Sequence, residues 1–553
     1  MQEFARDVPG GKVHMQASDI AFAELPHQSR LFLDYLADPK SLKQYYPNAS
    51  ASPLDLGSFS VEVLKRYPTD RSRICNALER INREIGASRA ALENVEKLRA
   101  GDCVAVVTGQ QVGLFSGPLY TIYKALSALK TAEELNNAGI KAVAIFWAAT
   151  EDHDLDEVRT TFVPSRVEYQ PSDNDKDRPV GSIFLNVSIT AVIETLFYEL
   201  TETEFTSDLR DRINSAYAEG RSFGKAFLTL LASLFAQHGL IFVDPTETEI
   251  RELSAPLVSK AIEQADEIGS ALLARTGNLE ADGYAAQVMI EDDHFPLFWI
   301  DDEGRRRSLR RTKKGFRVKG SPVEFTSGEL TAILANTPER LSPAVMLRPV
   351  VQDYLLPTIC YFGGAAEVAY LAQTSEVYRV LDRPVTPVFH RQSYTVVEPK
   401  LRRTLDRYGL ELTDLFRDRE AIMLDIAGKL DADETDKLFS HADGNINAEL
   451  DQLNARISAI DPTVADNLAN RRKKIAYHIA TLKKKTLLAT LRNDEDAKRR
   501  VDDLLALLLP QGALQERALN VVYFLNKYGP RFTDWLYEAT DIANKTHQLL
   551  DLK

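Results

Sequence analysis

A chain of 553 residues exceeds what one hydrophobic core organises, so two to four domains are expected. Hydrophobic residues make up 44% and charged residues 27%, a globular balance that excludes a disordered or fibrous chain. The formal net charge of -13 excludes a general nucleic-acid binder, because phosphate affinity needs clustered Lys and Arg, and the scattered Cys75, Cys103 and Cys360 exclude a disulfide framework or a thiolate zinc site.

Nothing approaches the roughly 18 uninterrupted apolar residues of a membrane span, and the first ten residues carry acidic groups with no apolar h-region. The expectation is a cytoplasmic protein that engages neither membrane nor nucleic acid. Residues 1–100 read as a helical lead-in, with Leu31, Leu33, Leu36 and then Ile74, Leu78, Ile81, Ile85 at three- and four-residue spacing. The texture changes at Cys103-Val-Ala-Val-Val-Thr108, a buried strand that runs into a Gly/Ser/Pro loop.

Ile122, Ala125, Leu126, Leu129, Ala132 and Leu135 then mark a helix, with Pro118 at its start, and Val143-Ala-Ile-Phe-Trp147 is a second strand. Strand, glycine loop, helix, strand is a βαβ unit, whose right-handed crossover implies a parallel sheet with a crevice at the strands' carboxyl ends. Further strands are expected at 240–244, 358–362 and 385–389, with an antiparallel meander over 287–325. Beyond Arg391, Leu450, Leu453, Ile457, Ile460 and, after Pro462, Ile475, Ile479, Leu482 repeat at a/d spacing. Two such helices folded back on each other make an antiparallel coiled-coil arm, serving a dimer or an intramolecular hairpin, and Leu519, Val522, Leu525 and Trp535 return toward the main body.

Three clusters fall on the crevice. In the first, Gly109, Gly113 and Gly117 permit close backbone approach to a ligand, the next helix offers unpaired N–H groups to a phosphate or carboxylate, and Gln110, Gln111 and Lys124 add polar reach; a tight turn with a surface lysine explains the string equally well. Walker A spacing is absent. The second, Thr150-Glu-Asp-His-Asp-Leu-Asp-Glu157, sets His153 among carboxylates, including Asp152 and Asp154, able to transfer protons or orient Mg2+, or else to start a solvated acidic helix. In the third, Arg348 can hold a carboxylate and Glu367 an ammonium, unless both belong to structural ion pairs. His390 and Arg391 end the last strand on the same side. The basic run from Arg305 to Arg317 reads as a solvated edge strand rather than an RNA site, for want of stacking aromatics.

The strings TGQQVGLFSGPLYTIYK, FWAATEDHDLDEV, LRPVVQDYLLPT and YFGGAAEVAYLAQ, in that order, with VVYFLNKYG near the end, resemble the cysteine-adding family of bacillithiol biosynthesis, BshC. The last core strand, Phe389-His390-Arg391-Gln392-Ser393, departs at His390 from that family's Pro-Arg-x-Ser string. The resemblance implies an α/β fold: a Rossmann-like parallel-sheet core over 101–393 with insertions at about 160–238 and 285–330, a dimerising coiled-coil arm over 394–505, and a helical return over 506–553. It also implies an amide-forming ligase that joins L-cysteine to glucosaminyl malate. Activating a carboxylate in water calls for ATP (or ADP at the site) with Mg2+ as an accompanying ion, through an adenylate or an acyl phosphate. The catalytic candidates are His153, Asp154 and Lys124. Binding falls to Gly109, Gln110, Gln111, Gly113, Gly117, Tyr120, Asp152, Arg348, Gln352, Asp353, Gly363, Gly364, Glu367, Gln373 and Arg391, with no resident metal. A nucleotide-binding interaction protein without catalysis and a synthetase-like nucleotidyltransferase acting with RNA are the competing readings.

Overall fold

A computed structural model describes residues 2–6, 13–430 and 432–553. The chain forms two units: Ser18–Thr395 with Gln515–Leu549, and the stretch ending at Ala17 with Val396–Leu514 and Leu550–Lys553.

The first unit is built on five parallel strands: β1 (Val104–Gln110), β2 (Ala142–Ala148), β3 (Ile241–Val243), β4 (Thr358–Gly363) and β5 (Val388–His390). β1, β2 and β4 are almost wholly buried, which is why their sequences are continuous apolar runs rather than alternating ones. The spatial order β5-β4-β1-β2-β3, all pairings parallel, is the 3-2-1-4-5 order of doubly wound folds. Helix α1 (Tyr120–Asn137) follows β1, helix α2 (Arg348–Leu355) precedes β4, and helix α3 (Ala365–Val380) follows β4. Strand order reverses between β1 and β4, so right-handed crossovers send α1 and α3 to opposite faces and open a crevice between the two carboxyl ends.

Long insertions separate these strands. Between β3 and β4 the helices Thr248–Glu263 and Ala265–Ala281 precede an antiparallel sheet, in which Arg306–Thr312 pairs with His294–Ile300 on one side and Gly315–Val318 on the other. The basic strand is therefore interior to its sheet, not an edge. Arginines on it meet carboxylates, Arg307 reaching Asp177 at 2.9 Å and Arg311 reaching Asp266 at 2.9 Å. The lead-in is not helical throughout, since Gln2–Arg6 and Val13–Ile20 pair as antiparallel strands, and the closing segment ends on a strand, His547–Leu552. Their mixed polar sequences carry little periodicity to reveal them.

In the second unit, Ala432–Ile460 and Pro462–Asn493 form a helical hairpin. Arg472 donates to Asn447 at 2.8 Å and Lys483 meets Asp436 at 2.8 Å, pairs that fix the two helices as antiparallel. Pro462 occupies the first helical position, where a missing N–H costs nothing.

The loop leaving β1 is strained. Phe115 and Ser116 hold positive φ angles of 51° and 83°, a region unfavourable for side-chain-bearing residues, and Gly117 follows at 70°. The closing segment holds this loop in place: the Asn520 amide donates to Leu114 O at 3.2 Å, Phe115 O at 2.9 Å and Thr161 Oγ1 at 2.9 Å. Asn520→Ala strands those buried acceptors and is expected to destabilise this unit by about 1–3 kcal/mol. The measurement is the thermal midpoint by circular dichroism; a midpoint equal to that of the unaltered protein would dissociate Asn520 from loop stability.

Candidate active site

A cavity of about 540 Å³ lies in the crevice at the switch point, within the size range of small-molecule sites. Gly109, Gln110 and Gln111 line it from β1, Tyr120 and Lys124 from α1, and Asp152, His153 and Glu157 from beyond β2. Arg348 enters from α2, Gly364 and Glu367 from the start of α3, and Arg391 from just past β5. Eleven of the eighteen candidates named from sequence thus line one cavity.

At its floor, Lys124 is buried and forms an ion pair with Glu367. Lys124 Nζ also donates to Gly109 O at 2.9 Å and Gln110 Oε1 at 2.8 Å, while Tyr361 Oη and the Gly364 N–H donate to Glu367 at 2.6 and 2.7 Å. Burial pushes the Glu367 pKa up, but Lys124 and the Gly364 N–H outweigh it and hold the carboxyl below its usual range. Burial lowers the Lys124 pKa against the pull of Glu367; with three oxygens around its nitrogen, we assign it as an ammonium. Glu367 was expected to receive a substrate ammonium. Instead the protein supplies that ammonium itself.

The rim divides by charge. Gln111 Nε2 donates to Asp152 at 2.6 Å and to Glu157 at 2.9 Å, tying the acidic side together. On the opposite side Arg348 donates to Gln352 Oε1 and Tyr370 Oη, each at 3.0 Å, with no carboxylate within ion-pairing distance among the described residues. Arg391 is committed elsewhere: both Nη atoms donate to Glu516 at 2.8 Å, and Ser393 Oγ and the Tyr394 N–H complete the cage. Burial pushes Glu516 up, yet Arg391 and Ser393 bring its pKa to about 2.

The remaining seven candidates do not line the cavity, each for a structural reason. A Cβ on Gly113 would stand 2.6 Å from Gly117 Cα, so these glycines allow backbone to approach backbone rather than ligand. One on Gly363 would stand 2.8 Å from Glu367 Cβ, so that glycine makes room for the ion pair. Asp154 caps the short helix Leu155–Val158 by accepting from the Glu157 N–H. Gln352 and Asp353 bond each other, and Asp353 also accepts from Tyr378 and Thr386. Gln373 is saturated by Thr276 and by the backbone of Val288. His390 packs edge-on against Phe22 and tilted against Phe32, with burial driving its pKa to about 3.

Several lining residues went unforeseen. Arg306 reaches the cavity from the basic run, Arg517 from the closing segment, and Phe298 and His294 from the inserted sheet. Buried Glu151 is held by Arg251 at 3.0 Å and Ser342 at 3.1 Å. Nothing in the sequence of the strand Arg306–Thr312 marks which of its arginines faces inward.

Removing one partner of a buried pair leaves the other charge uncompensated, so Glu367→Gln is expected to destabilise the protein by about 3–5 kcal/mol. Lys124→Met combined with Glu367→Gln should lose less than the two single losses added. Denaturant midpoints of the three variants decide this, and strictly additive losses would sink the pairing.

The N-terminal Rossmann-like domain described for bacillithiol biosynthesis BshC matches residues 15–392, and the C-terminal coiled-coil domain of the same description matches residues 394–552. A protein named "Putative cysteine ligase BshC" from Koribacter versatilis is 36% identical over 521 residues, covering 94% of this chain and 97% of that one. Proteins of the same name from Salinibacter ruber and Solibacter usitatus are 34% and 33% identical, covering 94% and 97% of this chain and 96% and 100% of their own. A solved structure titled putative arginyl-tRNA synthetase, from Campylobacter jejuni, covers 85% of this chain and 98% of its own at 10% identity and a TM-score of 0.22, too faint a likeness to bear on the fold. With both domains matched and relatives aligned nearly end to end, this chain belongs to the BshC family of bacillithiol biosynthesis.

Proposed function

We propose that the protein is a cytoplasmic ligase that forms an amide between the carboxyl of L-cysteine and the amino group of glucosaminyl malate, with ATP activating the carboxyl. The observation that carries this reading is the charge-divided cavity at the switch point. Arg348, desolvated and without a carboxylate partner, suits a substrate carboxylate or a phosphate, and the Asp152 and Glu157 side suits an ammonium. The printed names of the relatives agree with cysteine as one substrate. Arg306 and Arg517 add positive charge where a polyanionic nucleotide would lie. The loop at Gly113 and Gly117 would not cradle its phosphates, being closed on itself. Mg2+ belongs to this reading as the ion carried by the nucleotide. No described helix is long and apolar enough to cross a membrane.

The test is direct. Purified protein with ATP, L-cysteine and glucosaminyl malate should yield bacillithiol, detected by thiol labelling and mass spectrometry, and release of ADP or of AMP with pyrophosphate separates acyl phosphate from adenylate. Replacing Arg348 with Met should weaken binding of one anionic substrate by about 1.5–3 kcal/mol, the worth of a hydrogen bond to a charged group. Calorimetry with each substrate in turn reads it. Product formation and affinities untouched in that variant would remove Arg348 from the site.

The reading includes a homodimer through the arm. Leu438, Ile460 and Tyr477 on the hairpin are 67%, 77% and 67% exposed, an apolar cost that a second copy would relieve. Excising the hairpin at 432–493 behind a short glycine linker should give a monomer by light scattering. A dimer that survives the excision at micromolar concentration places the interface elsewhere.

A further inference from the structure

Among the cavity's cations, Arg306 is fixed from three sides without any carboxylate in ion-pairing distance among the described residues. Its Nε donates to Ser342 Oγ at 3.1 Å, its Nη2 donates to Pro343 O at 2.6 Å, and its guanidinium lies 3.9 Å from the centroid of the Phe298 ring. That leaves Nη1, which stands 3.5 Å from Nδ1 of His153. The His153 ring rests on the same phenyl group, with centroids 5.4 Å apart. Both rings and the guanidinium are thus held as one unit at the cavity wall.

A guanidinium can only donate, so the ring nitrogen facing it must accept. Nδ1 then carries the lone pair and the ring proton sits on Nε2. Nε2 has no hydrogen-bond partner among the described residues, and His153 lines the cavity. Other charges face the ring: Asp152 Oδ1 lies 3.7 Å from Nδ1, but is occupied by the backbone N–H of His153 at 2.7 Å, and Asp177 and Asp154 act from farther away. Burial and Arg306 push the His153 pKa down, and these three carboxylates push it up without overcoming them, so the ring is neutral at pH 7.

We infer that Arg306 is a positioning residue that locks His153 in the Nε2–H tautomer, making it a neutral hydrogen-bond donor to an oxygen that gains negative charge in the cavity, not the base that removes a proton. A base needs a free lone pair toward the substrate, and the only lone pair on this ring is turned to Arg306. A neutral imidazole donor is an established device for stabilising a developing oxyanion. The inference rests on the ligase reading for the identity of that oxygen; the tautomer stands independently of it.

Two measurements separate the tautomer from the reaction. Two-bond proton–nitrogen correlation on the full-length, histidine-labelled protein at pH 7 should show His153 neutral with its proton on Nε2. In Arg306→Met the ring should lose that preference and populate Nδ1–H toward Asp152, while Arg306→Lys, which keeps a donor, should retain it. A wild-type proton on Nδ1, an imidazolium at pH 7, or an unchanged tautomer in the Met variant overturns the inference. In turnover, His153→Gln places an amide N–H where Nε2–H lies and cannot act as a base, so it should keep most of the rate, whereas His153→Ala should lose roughly 10²–10³-fold. Equal losses in both variants would restore His153 as a base. If wild-type protein makes no bacillithiol, the ligase reading fails while the tautomer result remains.

Discussion

The buried ion pair between Lys124 and Glu367 joins the two halves of the sheet at the point where strand order reverses. Each partner rides the first or second turn of a helix, and the helices follow adjacent strands to opposite faces. Without a bridge, the carboxyl ends of β1 and β4 would present helix termini and strand carbonyls to an open crevice. With it, Lys124 meets the Gly109 carbonyl and Glu367 meets the Gly364 N–H, so the backbone at the floor of the cavity is fixed before any ligand arrives. Taking two charges from water costs several kcal/mol each, which makes the pair a poor source of stability but a strict determinant of geometry.

Much of the architecture was legible because its physics is local. The β-branched run ending at Thr108, the glycine turn and the periodic helix after it could form little but a βαβ unit, and the same logic located β2, β3, β4 and β5. Site residues were legible where they sit within a few positions of a strand's carboxyl end, as with Gln111, Asp152, His153, Glu367 and Arg391. What stayed hidden depends on distant contacts. No sequence pattern says that the carboxylate opposite Lys124 is Glu367, that Asp353 answers to Tyr378 and Thr386, or that one arginine of a basic run turns inward. Glycine signalled close approach correctly at Gly113 and Gly363, but not what approaches.

Charge is handled differently on the two sides of the cavity. Arg391 is wrapped by Glu516 so completely that its role is to hold rather than to bind, and the depressed pKa of Glu516 makes that hold conditional. Its contribution is present above the ordinary carboxyl value near 4.5 and is lost as pH falls toward 2. Arg348 and Arg306 keep unmatched charge facing the space a ligand would fill, where desolvation makes it count.

Gln515–Leu549 is translated after the whole of Val396–Leu514 yet belongs to the unit whose other residues end at Thr395. Glu516, Arg517 and Asn520 are all in it: the partner of Arg391, a lining cation, and the clamp on the strained loop. More than a hundred residues separate this segment from the sheet it finishes. Until that segment has been translated, Arg391 lacks its carboxylate partner and the loop at Phe115 lacks the Asn520 clamp. The nascent sheet therefore cannot complete its ligand site until that segment is made, and a chain released before it by a stalled ribosome would carry every strand of the parallel sheet and no finished cavity.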